Sequence, residues 1–306
     1  MESQGGQVAL LVHLLPNLLT LNVSVPPNYL HDDKPDIFTS MLAEYAFLPP
    51  TSLPICLRYM RSFSFLAGGD DVSPKALLTI LKLPCIRKIY VHITAHMEES
   101  TTVGATAAAF ATGTSSVTDL QFGYGSVDTY SLARILSMPR MLTRFSYTDC
   151  DGMAGSFKCA VFRVALQPFR GTLQELVLRF RWAVDETHGG EGTLGSFRDW
   201  PVLRSMRCSV TVLVGRARVR GVVQLREVLP LVVERVVVDV DGDWVDWKVV
   251  EQMVDLVEGG EFARLGEVVV PGKRVSVGRK VGARLQEACD GAGVVLSMYQ
   301  SNGRWW

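Results

Sequence analysis

An apolar residue followed three and five positions later by two more recurs along this 306-residue chain at nearly constant intervals. Nine such triplets are present: Leu18/Leu21/Val23, Met60/Phe63/Phe65, Ile86/Ile89/Val91, Val117/Leu120/Phe122, Leu142/Phe145/Tyr147, Leu173/Leu176/Leu178, Leu203/Met206/Cys208, Val233/Val236/Val238 and Leu265/Val268/Val270. Their first members lie 42, 26, 31, 25, 31, 30, 30 and 32 residues apart. A period of this size confines the chain to architectures that stack one small unit many times. The two-residue step between the second and third members puts both on one face of a strand, and the residues beside them on the other.

The segments between triplets show a second period. Ala76 to Leu83 precedes Pro84, Leu132 to Met138 precedes Pro139, and Ala154 to Leu166 precedes Pro168 and Gly171, each with helical spacing of apolar residues. After Val238 the order recurs, with Asp243 as N-cap, Val245, Val249, Val250, Met253, Val254 and Val257 on one face, and Gly259-Gly260 as the stop. One helix per strand is therefore expected. A unit so small cannot bury its own apolar face, so neighbours must stack, with their strands parallel. The spacing L-x-x-L-x-L is that of a leucine-rich repeat. The expected fold is an α/β leucine-rich-repeat solenoid of nine or ten units, residues 1–306 forming one domain with a parallel concave sheet and outer helices. The long first step reflects an irregular insertion, residues 26–58, with a helix over Asp36 to Phe47, and residues 299–306 form a tail. The Asn or Cys that usually follows the triplet appears only as Cys150; Gly68, Thr94, Gly125, Arg181, Thr211, Asp241 and Lys273 stand in its place.

From Leu194 to Leu296 the chain runs LGSFRDWPVLRSMRC, LREVLPLVVERVVVDV, FARLGEVVV and LQEACDGAGVVL. This stretch resembles the C-terminal leucine-rich repeats of filamentous-fungal F-box-like proteins. The resemblance implies that the repeats select a protein substrate for a cullin-type ubiquitin ligase, to which an N-terminal F-box docks through a Skp-type adaptor. No F-box is visible ahead of the first triplet, so the adaptor is expected as a partner only if an F-box lies upstream. The alternative expectation is an adaptor-free interaction scaffold.

Lysine plus arginine and aspartate plus glutamate each total 31, so the summed charge gives no pull toward nucleic acid or an anionic membrane. Neither is expected as a partner. The six cysteines are scattered without a C-x-x-C pair, which suits reduced thiols in the cytoplasm or nucleus. The apolar run from Val8 to Val25 holds His13, Pro16, Asn17 and Asn22 and lacks a basic start, so it reads as the first repeat and not as a signal or membrane span.

Motifs that would carry chemistry fail on context. Gly190 to Gly195 spells G-x-G-x-x-G but leads toward Pro201 instead of opening a helix after a strand. Gly266 to Lys273 has the wrong spacing for a phosphate loop and Arg274 where a magnesium-holding hydroxyl belongs. Asp239, Asp241 and Asp243 begin like a calcium loop, but Trp244 takes the glycine place and Val250 the acid place. His92 and His96 lack the intervening glutamate and the helix of a zinc site. No serine elbow is present. A non-catalytic protein with no metal and no cofactor is expected. Trp182, Trp200, Trp244 and Trp247 read as caps on the core.

A binding protein of this kind would use the strand positions that face away from the triplets. These place Lys88, Tyr90, His92, Gln121, Arg144, Thr148, Arg179, Arg207, Arg235 and Asp239 on one surface. Arg179 and Arg207 are expected within reach of one acidic group.

Overall fold

The computed structural model describes residues 9–10, 12–25, 41–42, 44–45, 48, 50–67, 74–93, 96–97, 113–123, 126–149, 157–180, 193–214, 223–239, 247–271 and 279–299. The chain divides into two compact units, Met1–Asp149 and Cys150–Trp306. Both are α/β, with every described strand pair parallel.

In the first unit lie β1 (Thr20–Val25), β2 (Ser62–Ala67), β3 (Lys88–Ile93), the short β4 (His96–Met97), β5 (Asp119–Gly123), the short β6 (Ser126–Val127) and β7 (Arg144–Asp149). The sheet runs β1-β2-β3-β5-β7, and β4 pairs β6 apart from it. The second unit carries β8 (Glu175–Phe180), β9 (Ser205–Ser209), β10 (Arg235–Asp239), β11 (Glu267–Pro271) and β12 (Val295–Tyr299), adjacent in chain order.

The register follows the triplets without a slip. Leu21 stands opposite Phe63, Phe63 opposite Ile89, Ile89 opposite Leu120 and Leu120 opposite Phe145. In the second unit Leu176, Met206, Val236, Val268 and Leu296 align in the same way. A shift of one residue would turn every apolar set to the other face, so burial fixes the pairing. Every triplet residue is buried except Leu18 and Leu21, which are half-buried.

The backbone shows a repeat of its own at the starts of β3, β5, β7, β9, β10 and β11. The carbonyl of Arg61 accepts from the amides of both Arg87 and Lys88, that of Arg87 from Thr118 and Asp119, and that of Thr118 from Thr143 and Arg144. Gln174, Arg204 and Glu234 carbonyls do the same in the second unit. One carbonyl thus ties two amides of the following repeat, leaving few backbone groups unmet where the chain enters the sheet.

The helices are α1 (Ile55–Tyr59), α2 (Pro74–Leu81), α3 (Thr129–Ser137), α4 (Cys159–Leu166), α5 (Val210–Val214), α6 (Leu225–Val228), α7 (Trp247–Glu258) and α8 (Arg279–Ala292). Of these, α2, α3, α4 and α7 fall on the expected helical segments, while α1, α5, α6 and α8 are additional; α3 is opened by Asp128, whose carboxylate accepts from the Tyr130 and Ser131 amides. At the end of α7 the Gly259 amide donates to the Asp255 carbonyl at 3.0 Å and Gly260 takes φ 66°. Most of the helix expected over 36–47 lies outside the described residues, of which 41, 42, 44 and 45 are helical. The expected N-cap Asp243 also lies outside them.

Two features differ from expectation. The segment 193–204 ahead of β9 contains no helix; buried Leu194, Phe197 and Trp200 fill the helix's place, with the Phe197 and Trp200 rings 5.0 Å apart and edge-on. Arg163 of α4 holds this stretch by donating to the Leu194 and Ser196 carbonyls. The second is that the tenth unit, within the expected nine or ten, has a strand, β12, without a triplet: Leu296 takes the middle place while the first apolar place is held by Gly293 at φ 70°. That glycine ends α8, and the left-handed turn needed there excludes a triplet side chain.

Candidate functional site

In each unit the face opposite the triplets is built from three rows, each set by one offset in the repeat. The row two residues after each first triplet member holds Lys88, Asp119 and Arg144 on adjacent strands in the first unit. Its counterpart in the second unit holds Glu175, Ser205, Arg235 and Glu267. Cations and anions therefore share a row, which suits parallel neighbours about 4.8 Å apart. Arg235 Nε lies 2.7 Å from a Glu267 carboxylate oxygen, and the Ser297 hydroxyl donates to the other at 3.0 Å. Asp119 is buried and accepts from the Gln121 amide at 2.9 Å.

The next rows bring Arg179, Arg207 and Asp239 together. Arg207 grips Asp239 with two bonds, Nε at 2.7 Å and a terminal nitrogen at 3.0 Å, while Arg179 Nε reaches the same carboxylate at 3.1 Å. The Asp239 side chain is 9% exposed, those of Arg179 and Arg207 18% and 28%. One acidic group does lie within reach of both arginines, and the chain itself supplies it. Forked, charge-assisted bonds on a mostly covered carboxylate fix both guanidinium planes.

Lys88 is exposed, whereas Tyr90, His92, Gln121, Arg144 and Thr148 are half-buried. The Tyr90 and His92 rings lie 6.5 Å apart. A Cβ on Gly123 would stand 2.6 Å from the Tyr90 hydroxyl, so a glycine is what lets this ring lie over β5. Burial lowers the pKa of His92, favouring the neutral ring. The ten expected face residues thus fall into two groups, Lys88, Tyr90, His92, Gln121, Arg144 and Thr148 in the first unit and Arg179, Arg207, Arg235 and Asp239 in the second.

Three acids, Asp119 in the first unit and Glu175 and Glu267 in the second, share these rows but are not among the ten expected residues, of which five are Lys or Arg. Their signal was present: they occupy the same offset as Lys88, Arg144 and Arg235. A second group of arginines has a different task. Arg87 donates to the Ser116 carbonyl at 3.2 Å, Arg170 to Asp199 at 2.8 Å and Arg198 to Arg226 at 2.6 Å, each tying a turn to the next repeat.

Cys159 is pushed up to about 11 by burial, and Cys208, wholly enclosed and beside Asp239, is raised further, so neither is a thiolate near neutral pH. Among the described residues no group of three or more His, Cys, Asp or Glu could hold a metal ion. Asp241 and Asp243 lie outside them, as does the His96 side chain. Of the G-x-G-x-x-G run only residues 193–195 are described, and no helix follows them; the 266–273 segment contains β11. No described helix is long and apolar enough to cross a membrane. The fold and this face define a parallel α/β protein of repeat-like construction. The sequence matches no protein-family model and no curated protein.

Proposed function

We propose that the chain is a leucine-rich-repeat solenoid that binds another protein through the face opposite its triplets and carries out no catalysis. The observation behind this reading is the unbroken register of triplets within each unit, which leaves in each a polar face assembled from consecutive repeats. Resemblance of the stretch 194–296 to F-box-like proteins adds the role: selection of a substrate for a ubiquitin ligase in the cytoplasm or nucleus. The alternative role is an adaptor-free scaffold.

Two experiments test these parts separately. Co-expression with a Skp-type adaptor should recover a stoichiometric complex if the chain contains what the adaptor needs; an adaptor that never co-purifies with it would favour the scaffold. For the binding face, Lys88→Glu with Tyr90→Ala should reduce captured protein at least tenfold while the chain stays folded by circular dichroism, with Tyr90→Phe retaining the packing of the ring as control. Arg284→Glu, in an exposed pair with Glu258 at 3.3 Å, should leave capture unchanged. Equal capture by the face variant and the wild type would move binding elsewhere. Reversal of Arg179 and Arg207 together does not serve as a clean test, because two new carboxylates would crowd Asp239 and disturb folding.

A further inference from the structure

Parallel strands in register bring their starting ends to one edge of the sheet, and in the first unit that edge is basic. Arg61, Arg87, Lys88 and Arg140 stand on it, all exposed. The three guanidinium groups are held against backbone carbonyls. Arg61 Nη1 donates to Cys85 at 3.1 Å, Arg87 Nη1 to Pro84 at 3.2 Å and across to Ser116 at 3.2 Å, and Arg140 Nε to Gly113 at 2.6 Å. Arg61 and Arg87 thus meet at the turn 84–85, and Arg87 and Arg140 at the turn 113–116. The charges form one line from the start of β2 to the start of β7.

No acid of the unit answers them among the described residues. Asp119 is buried and takes the Gln121 amide at 2.9 Å, Asp128 caps α3, Asp149 ends β7, and neither these nor Glu44 pairs with any of the four cations. The second unit ties its turns with arginines in the same way but supplies acids beside them. Arg170 pairs with Asp199 at 3.2 Å, Arg198 with Glu261 at 3.1 Å and Arg204 with Glu234 at 3.6 Å. The offsets that carry Glu234 and Glu267 there carry Arg61, Arg87 and Lys88 here. Clustered cations without an internal anion repel one another, and an external anion relieves that repulsion. Because the carbonyl bonds already hold the guanidinium groups, little side-chain ordering remains to oppose binding.

We propose that this edge docks an extended acidic segment of another protein, whose carboxylates are taken by the line of Arg61, Arg87 and Arg140. Planar guanidinium groups match carboxylates in charge and in geometry. Successive strands lie about 4.8 Å apart, so acidic side chains along an extended peptide reach successive rungs. Tyr59 and Met141 are exposed at the two ends of the line, where they suit apolar residues flanking the acids. Single-stranded nucleic acid calls instead for rings interleaved with the cations. Between Arg61 and Arg140 the turns offer the hydroxyls of Ser116 and Thr118.

The test is fluorescence anisotropy of labelled oligo-glutamate and oligo-glutamine peptides with the full chain at low ionic strength. The glutamate peptide should bind, the glutamine peptide should not, and added salt should weaken the complex. Arg61→Gln with Arg140→Gln should weaken it at least tenfold, whereas Arg61→Lys with Arg140→Lys should retain most of it. Tyr90→Ala, on the face opposite the triplets, and Arg204→Gln, in the second unit, should leave it unchanged, so this result and the capture experiment stand or fall independently. Should the glutamine pair lower the melting temperature, Lys88→Gln gives the reading instead, because the Lys88 side chain makes no bond to a described residue; a loss of at least threefold is expected. Equal binding of the two peptides overturns the proposal, as does undiminished binding by the folded glutamine variants. Tighter binding of a single-stranded oligonucleotide or of anionic lipid vesicles than of oligo-glutamate, with the same dependence on Arg61 and Arg140, also overturns it.

Discussion

Asp239 shows how a residue's task depends on what two neighbouring repeats place beside it. Its offset puts it on the polar face, which reads as a contact for a partner, yet its carboxylate is the anchor for Arg179 and Arg207. Cations were legible in the sequence as surface charges, but their internal partners were not, because pairing requires the register between strands as well as the offset within one. Asp239→Asn should leave two guanidinium groups side by side without their shared anion. The expected cost is roughly 1–3 kcal/mol in urea denaturation. In a double-mutant cycle with Arg207→Ala the second change should cost much less once the first is made. Additive effects would mean that the ion pair contributes little.

At the scale of elements, the apolar period located the strands because both the triplet and its burial repeat, and the helices followed where proline or glycine marked their ends. The segment before β9 was illegible for a physical reason. Phe197 and Trp200 supply the volume that a helix's apolar face supplies elsewhere, and volume can be delivered by an extended segment once Arg163 satisfies its carbonyls. β12 was hidden by Gly293, which serves the helix end at the position the triplet search tests. Where a helix is regular its cap should count. Asp128→Ala removes both bonds to the α3 amides and should lower stability by about 1 kcal/mol, read from chemical denaturation, while Asp128→Ser should retain most of it. Equal loss for both substitutions would show that the carboxylate acts through something other than capping.

One frame recurs in both units: triplets inward, the offsets beside them on the opposite face, repeated on parallel strands. The frame makes neighbouring residues behave oppositely, and β8 offers the sharpest case. Leu176 is wholly buried between Val177 and the half-buried Glu175 on the other face. Thermal denaturation of Leu176→Asp beside Glu175→Gln therefore tests the central claim directly. Leu176→Asp buries an unpaired carboxylate among stacked apolar side chains and should cost several kcal/mol, a fall in melting temperature on the order of 10 °C or outright unfolding. Glu175→Gln should stay within about 0.5 kcal/mol of the wild type, as polar changes outside the core do. Equal melting temperatures for wild type and Leu176→Asp would contradict the frame.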